Sequence, residues 1–329
     1  MMHFFKFGGI KVFNYNPVQW VFLFEFYSFC GWCWESAYVT YLNKKWVNRG
    51  FMRGPFLPLY GCGGVMMLIV SKPYYDNFLL VYIAGCIGAT MLEYLTGVIM
   101  ESLFKVRYWD YADKKLNYKG YICLESTLFW GVCTVVFSHL LQIPIEKALL
   151  AIPNNFLSVF TLIITAYISC DFMVAFKTAL DLRDVLIYME NAKVEMRRIQ
   201  KRLDVLIAFK GEEVKESIGN KVEGIGGAME ALSNGIGIRL DVLSASLEKS
   251  FIAAKEKISR NPSCYVNEVK DEVFEEYTKF RIIKDKITPR PVKNFFEAYR
   301  NRTIMGNPGM YSEKFKANLE EIKDRVSIE

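Results

Sequence analysis

Six acidic side chains stand in stretches of the chain that are otherwise apolar: Glu25, Glu35, Glu93, Glu101, Glu125 and Asp171. No lysine or arginine shares those stretches with them. A charge held at the centre of a bilayer costs about 2.5–3.5 kcal/mol on insertion scales, so such acids mark ion paths, proton sites or buried pairs. Glu93 and Glu101 are eight residues apart, roughly 12 Å along one helical stripe at ~1.5 Å per residue. Thr96 and Gly97 share the stripe, making a narrow polar face that another helix or a ligand can approach closely. The counter-charges available are Arg49, Arg53, Lys105 and Arg107, all in polar connections. Arginine pairs bidentately with carboxylates and suits buried pairs. The segment NRGFMRGPFLPLYGCGG (48–64) therefore reads as a loop that folds back toward the acids, its glycines permitting the turn.

The candidate binding set is Glu35, Arg49, Arg53, Glu93, Glu101, Arg107, Asp110 and Glu125. The structural alternative is that each acid is protonated, snorkels or pairs locally, and that the arginines only anchor the inner face. Glu125 also gains from standing at a helix start, where negative charge is favoured. Other chemistries are excluded. No G-x-x-x-x-G-K-[ST] loop occurs, and GIGGAME (224–230) lacks the lysine. No H-E-x-x-H or cysteine–histidine set supports zinc, and two histidines, His3 and His139, make no triad. No cofactor is expected, although a hard divalent cation on carboxylates stays open. Cys30-Gly-Trp-Cys33 has redox spacing but lies inside an apolar helix, so its cysteines read as small hydrophobes.

These side chains need elements to carry them. The chain is 52% hydrophobic and 15% aromatic, yet 23% charged, which requires segregation. Residues 1–176 hold 13 Lys/Arg and 10 Asp/Glu of totals of 41 and 35, so the first part is oily and the rest water-soluble. Windows 18–42, 78–104, 123–143 and 156–176 have membrane-spanning length. A fifth, 57–70, reaches it only by entering near Gly54-Pro55, where irregular backbone must be buried or line a wet cavity. Connections 43–57 and 105–122 are lysine- and arginine-rich, whereas 71–77 and 144–155 carry one lysine each. Basic loops stay in the cytoplasm, so five spans leave the tail inside. Met1–Pro17 lacks the pattern of a cleavable signal.

Past Phe176, Leu182, Val185, Met189, Ala192, Met196, Ile199, Leu203 and Leu206 recur at spacings of three and four, a coiled-coil seam. It predicts self-association through 182–206 or packing on a later helix of the chain. Seven glycines in 211–237 interrupt it. The expected architecture is all-α: a polytopic bundle of about five spans (1–176), then a soluble, partly coiled-coil tail (177–329). A formal charge of +6 is modest and dispersed, implying lipid contact and no nucleic acid.

NRGFMRGPFLPLYGCGG, LEYLTGVIMESLFKVRYWDY (92–111) and NYKGYICLESTLFWG (117–131) resemble the bacterial membrane proteins known as putative ABC-transporter permeases, type IV. The resemblance covers about residues 18–176, with its blocks in the family's order. It implies a transmembrane subunit in the bacterial cytoplasmic membrane that works with a separate ATPase. The sequence departs from the pattern at Tyr121, where a basic residue is expected. A permease-like protein is thus the leading expectation. A membrane enzyme acting on a lipid or prenyl-phosphate headgroup and a membrane-anchored coiled-coil scaffold are the alternatives.

Overall fold

The computed structural model describes residues 13–209, 239–260, 265–287 and 295–328. The chain forms two compact units, Met1–Leu180 with Ala298–Tyr311, and Asp181–Glu297 with Ser312–Glu329.

In the first unit, α1 spans Pro17–Asn43 and starts on a reciprocal cap: Asn16 Oδ1 accepts from Gln19 N at 2.8 Å, and Gln19 Oε1 accepts from Asn16 N at 2.9 Å. Pro17 fits the first turn because its missing N–H would be unpaired there anyway. Helix α2 is Pro58–Ser71, and α3 is Phe78–Phe104, capped by the Asn77 side chain. Helix α4, Leu124–Val136, runs through a π turn, Phe137–Leu141, into α5, Gln142–Ala151. Helix α6 is Asn154–Phe209. Consecutive helices α1 to α4 pack as neighbours, and Phe22 of α1 meets Phe160 of α6. One apolar core joins Phe13, Leu23, Tyr27, Leu68, Leu149 and Leu157.

Among the described residues, three helical stretches are long and apolar enough to cross a membrane: Phe78–Phe104, Leu124–Ala151 and the apolar part of Asn154–Leu206. The five-span expectation meets two obstacles. Helix α1 has the length but spreads Glu25, Glu35 and several Trp and Tyr residues through its 27 positions. Helix α2 has 14 residues, roughly 21 Å at ~1.5 Å per residue, against a hydrocarbon layer of about 30 Å.

Two expected boundaries also move. The connection at 144–155 shrinks to Ile152-Pro153, because the helix continues through Pro144. Proline has no N–H to donate back, and the π turn just before it takes up the misfit: Gln142 N–H reaches the Phe137 carbonyl. The last apolar helix does not stop at 176 but runs to Phe209, since no glycine or proline interrupts 154–209.

The second unit contains the later part of α6 with α7 (Leu240–Arg260), α8 (Tyr265–Ile287) and, after α9 (Phe295–Gly306), α10 (Lys316–Ile328). Of the heptad stripe, Leu182, Met189, Met196, Ile199 and Leu203 are each under 5% exposed, whereas Val185 and Leu206 are half-buried and Leu186, outside the expected stripe, is buried beside them. Arg202 pairs with Glu276 at 2.9 Å, and Asn318 donates to Glu190 at 3.1 Å, so α8 and α10 cover α6. Packing on later helices thus uses the same face that self-association through 182–206 would need. The glycine-bearing stretch 211–237 lies outside the described residues.

Candidate functional site

The two basic connections lie at one end of the first unit, where α1 and α3 finish and α2 and α4 begin. They touch there: Arg49 donates to the Tyr108 carbonyl at 3.3 Å. The 105–123 connection is ordered by a small antiparallel hairpin, β1 (Asn117–Tyr118) and β2 (Ile122–Cys123). Its turn closes with Tyr121 N–H on the Tyr118 carbonyl at 3.1 Å, and Lys119 and Gly120 both have positive φ. Such a turn suits strand twist, and glycine enters it at little steric cost.

On this scaffold Arg107 is buried, 7% exposed, and meets Glu101 bidentately: Nε to Oε2 at 2.6 Å and Nη2 to Oε1 at 3.2 Å. Its remaining nitrogen donates to the Lys119 carbonyl at 2.8 Å and lies 3.8 Å from Asp110 Oδ1. The Tyr121 hydroxyl also donates to Glu101, and the guanidinium lies 4.3 Å from the centre of the Tyr121 ring. Burial opposes the guanidinium's charge, but the hydrogen bonds and charge of Glu101 outweigh it and hold Arg107 more firmly protonated than usual. Gly97 gives the Tyr121 ring room on α3; a β-carbon there would lie 2.9 Å from the ring. Tyr121 thus occupies the place of the expected basic residue as a donor to the acid and a face for the arginine.

A second pair forms between Glu35 and Arg49, whose Nε lies 3.6 Å from Oε2, while the Tyr60 hydroxyl donates to Oε1 at 2.6 Å. Arg49 also donates to Asn307 Oδ1 at 2.9 Å. Asn307, 1% exposed, donates in turn to the Gly50 carbonyl at 2.9 Å. Residues 298–311 add further ties. Tyr299 donates to Asp171 at 3.2 Å, Arg302 to the Arg53 carbonyl at 2.7 Å, and Tyr311 exchanges both backbone bonds with Arg107 at 2.7 and 2.9 Å. Asp171 holds the 43–57 loop directly by accepting from Gly54 N–H at 2.7 Å.

Glu93 differs. Tyr111 donates to Oε1 at 2.8 Å and Ser126 to Oε2 at 3.1 Å, and among the described residues its partners are hydroxyls alone. Burial, and then the nearby Glu93 charge, push the Tyr111 phenol well above the ordinary tyrosine range, so it stays a donor. Glu93 lies on the wall of a cavity of about 390 Å3 enclosed by α1 to α4, whose other walls include Tyr27, Trp34, Tyr60, Met66 and Trp130. Trp34, 69% exposed, marks its open rim.

The remaining expected residues stand elsewhere. Glu125 pairs at 2.9 Å with Lys114 on the surface, its side chain 72% exposed, and so lies outside the inner clusters. A helix start at a solvent-facing end explains that exposure. Arg53 is exposed and offers its carbonyl to Arg302. Glu25 is buried against α6, accepting from Thr165 at 2.5 Å. The acids are thus shared out among separate partners, and among the described residues no group of three His, Cys, Asp or Glu side chains gathers as a metal site.

Sequence reasoning missed Tyr60, Tyr111, Tyr121 and Ser126 as the hydroxyl donors, and Asn307 and Tyr299 altogether. The tyrosines lie within the quoted blocks and could have been found by asking what donates to a buried acid. Nothing local marks Asn307, which stands more than 250 residues from Arg49. No curated protein and no solved structure matches the chain. Residues 22–176 match the family described as "Putative ABC-transporter type IV", and over that region the chain is similar to its members.

Proposed function

We propose that the chain is a permease-like membrane subunit, embedded through about five membrane segments in the bacterial cytoplasmic membrane, with basic loops and tail on the cytoplasmic side. Energy would come from a separate ATPase, since the chain has no nucleotide-binding P-loop of its own. The supporting observation is the grouping at one end of the unit: Glu35 with Arg49, Glu101 with Arg107, and Glu93 on the wall of an interhelical cavity. Polar groups at membrane depth beside a cavity are what translocation paths use. The set Glu35, Arg49, Arg53, Glu93, Glu101, Arg107 and Asp110 divides in this reading. The arginine pairs shape the inner mouth, and Glu93 meets the cargo.

The lipid-phosphate enzyme reading needs free arginines to grip an anion, yet Arg49 and Arg107 are engaged by carboxylates and carbonyls. The scaffold reading needs an open seam, which the chain covers itself. The test is purification of the tagged full chain from its native membranes. A copurified ATPase, and ATP-dependent solute flux after reconstitution of the pair into liposomes, are expected. Recovery without any ATPase activity and without flux would overturn the transport reading.

A further inference from the structure

We propose that the cavity lined by α1, α2, α3 and α4 binds a lipophilic organic cation whose positive centre sits against Glu93. This deepens the permease reading by naming the class of cargo, and it rests on taking that cavity as the binding place. The cavity, at about 390 Å3, falls within the range of small-molecule pockets, and its walls are almost wholly apolar or aromatic. Its acid, Glu93, has hydroxyl partners and no cationic one among the described residues, in contrast to Glu35 and Glu101. A carboxylate on an apolar wall at membrane depth calls for a compensating charge. None of the described residues brings one, and a cationic ligand would supply it.

The walls narrow the choice. An anion would face Glu93 directly and Glu35 behind the Tyr60 hydroxyl. A metal ion would find one carboxylate and oily walls in place of its hydration shell. A neutral apolar molecule would fill the space but leave the acid without a charge partner. A cation spread over an apolar body meets both demands, and Trp34, Trp130, Tyr27 and Tyr60 line the cavity with aromatic rings, the kind of group that attracts positive charge. The Tyr60 and Trp130 rings already meet edge to face at 6.1 Å, forming a corner of the cavity.

Tetraphenylphosphonium and tetraphenylborate separate charge from shape, being matched in size and apolarity but opposite in sign. With the full chain in a neutral maltoside detergent, equilibrium dialysis should show tetraphenylphosphonium binding at least tenfold tighter than tetraphenylborate. Glu93→Gln should weaken the cation at least tenfold and leave the borate unchanged or tighter. Trp130→Leu should weaken the cation several-fold, which guards against a special effect of the first variant. Equal binding of the two probes, or unchanged cation affinity in Glu93→Gln protein that melts like the parent, overturns the proposal. The assay reads occupancy without flux. Cation binding in a protein that moves nothing would sink the transport reading alone, and ATP-driven flux of other solutes without cation binding would sink this inference alone.

Discussion

Glu93 and Glu101 stand two turns apart on α3, and the chain treats them in opposite ways. Glu101 receives a buried, bidentate arginine, a tyrosine hydroxyl and a tight hairpin to hold both in place. Glu93 receives two hydroxyls and a cavity. The first arrangement is closed: Glu101 has its opposite charge in Arg107, held at both carboxylate oxygens. The second is open, because hydroxyls stabilise a carboxylate without neutralising it. One helix can therefore present an acid closed by a salt bridge and an acid that lines a cavity, told apart by what the neighbouring loop supplies.

The largest effect should follow from breaking the closed pair on one side. Arg107→Met strands Glu101 in a partly buried site and should cost about 3–5 kcal/mol, the usual penalty for orphaning a buried charge. The double variant Arg107→Met/Glu101→Met should recover more than half of that loss, because the acid leaves with its partner. Thermal unfolding followed by tryptophan fluorescence in detergent measures both. A single variant that melts like the parent would show that the pair is surface-like, and the contrast with Glu93 would vanish.

Next in size is Asn307→Ala. The side chain donates to the Gly50 and Thr303 carbonyls in a buried setting and accepts from the partly buried Arg49. Leaving those groups unmatched should cost about 1–3 kcal/mol. Backbone amides of residues 48–56 should then exchange with deuterium at least tenfold faster. Unchanged exchange there would mean that the 43–57 loop keeps its shape without residues 298–311.

How much of this was legible follows from how local each signal is. The helices α1 and α3 could be read within a residue or two because apolar runs are written in consecutive positions. The Arg107–Glu101 and Arg49–Glu35 pairs were within reach, since acids in apolar helices demand cations and the adjacent loops held them. The continuity of α4 into α5 through Pro144 was not, because a π turn compensates proline by a geometry that has no residue signature. Glu125 misled because a helix start accounts for an acid without telling whether it faces the cavity or the water. Asn307 was invisible because its meaning depends on a return of the chain over a long sequence separation. The heptad stripe named its buried face correctly at Leu182, Met189, Met196 and Leu203, but periodicity alone does not say whether the cover is another copy or the same chain.

A smaller effect tests the hairpin behind the closed pair. Gly120 has φ +71°, and a β-carbon there would press on the Asp110 carboxylate and the Arg107 guanidinium. Gly120→Ala should cost about 1–2 kcal/mol for the left-handed backbone alone, with more from crowding. If the melting point does not move, the turn is not what seats Arg107.

The smallest expected change is the sharpest for the comparison. In Glu93→Gln the side-chain carbonyl can still accept from Tyr111, and the amide can turn its nitrogen toward Ser126, so each hydroxyl keeps a partner without any buried charge to balance. Stability should shift by no more than about 0.5 kcal/mol, far below the loss in Arg107→Met. If Glu93→Gln instead melts as low as Arg107→Met, then Glu93 is already matched by a positive group of the protein. The open site would then be a closed one, with no charge left for a ligand to supply.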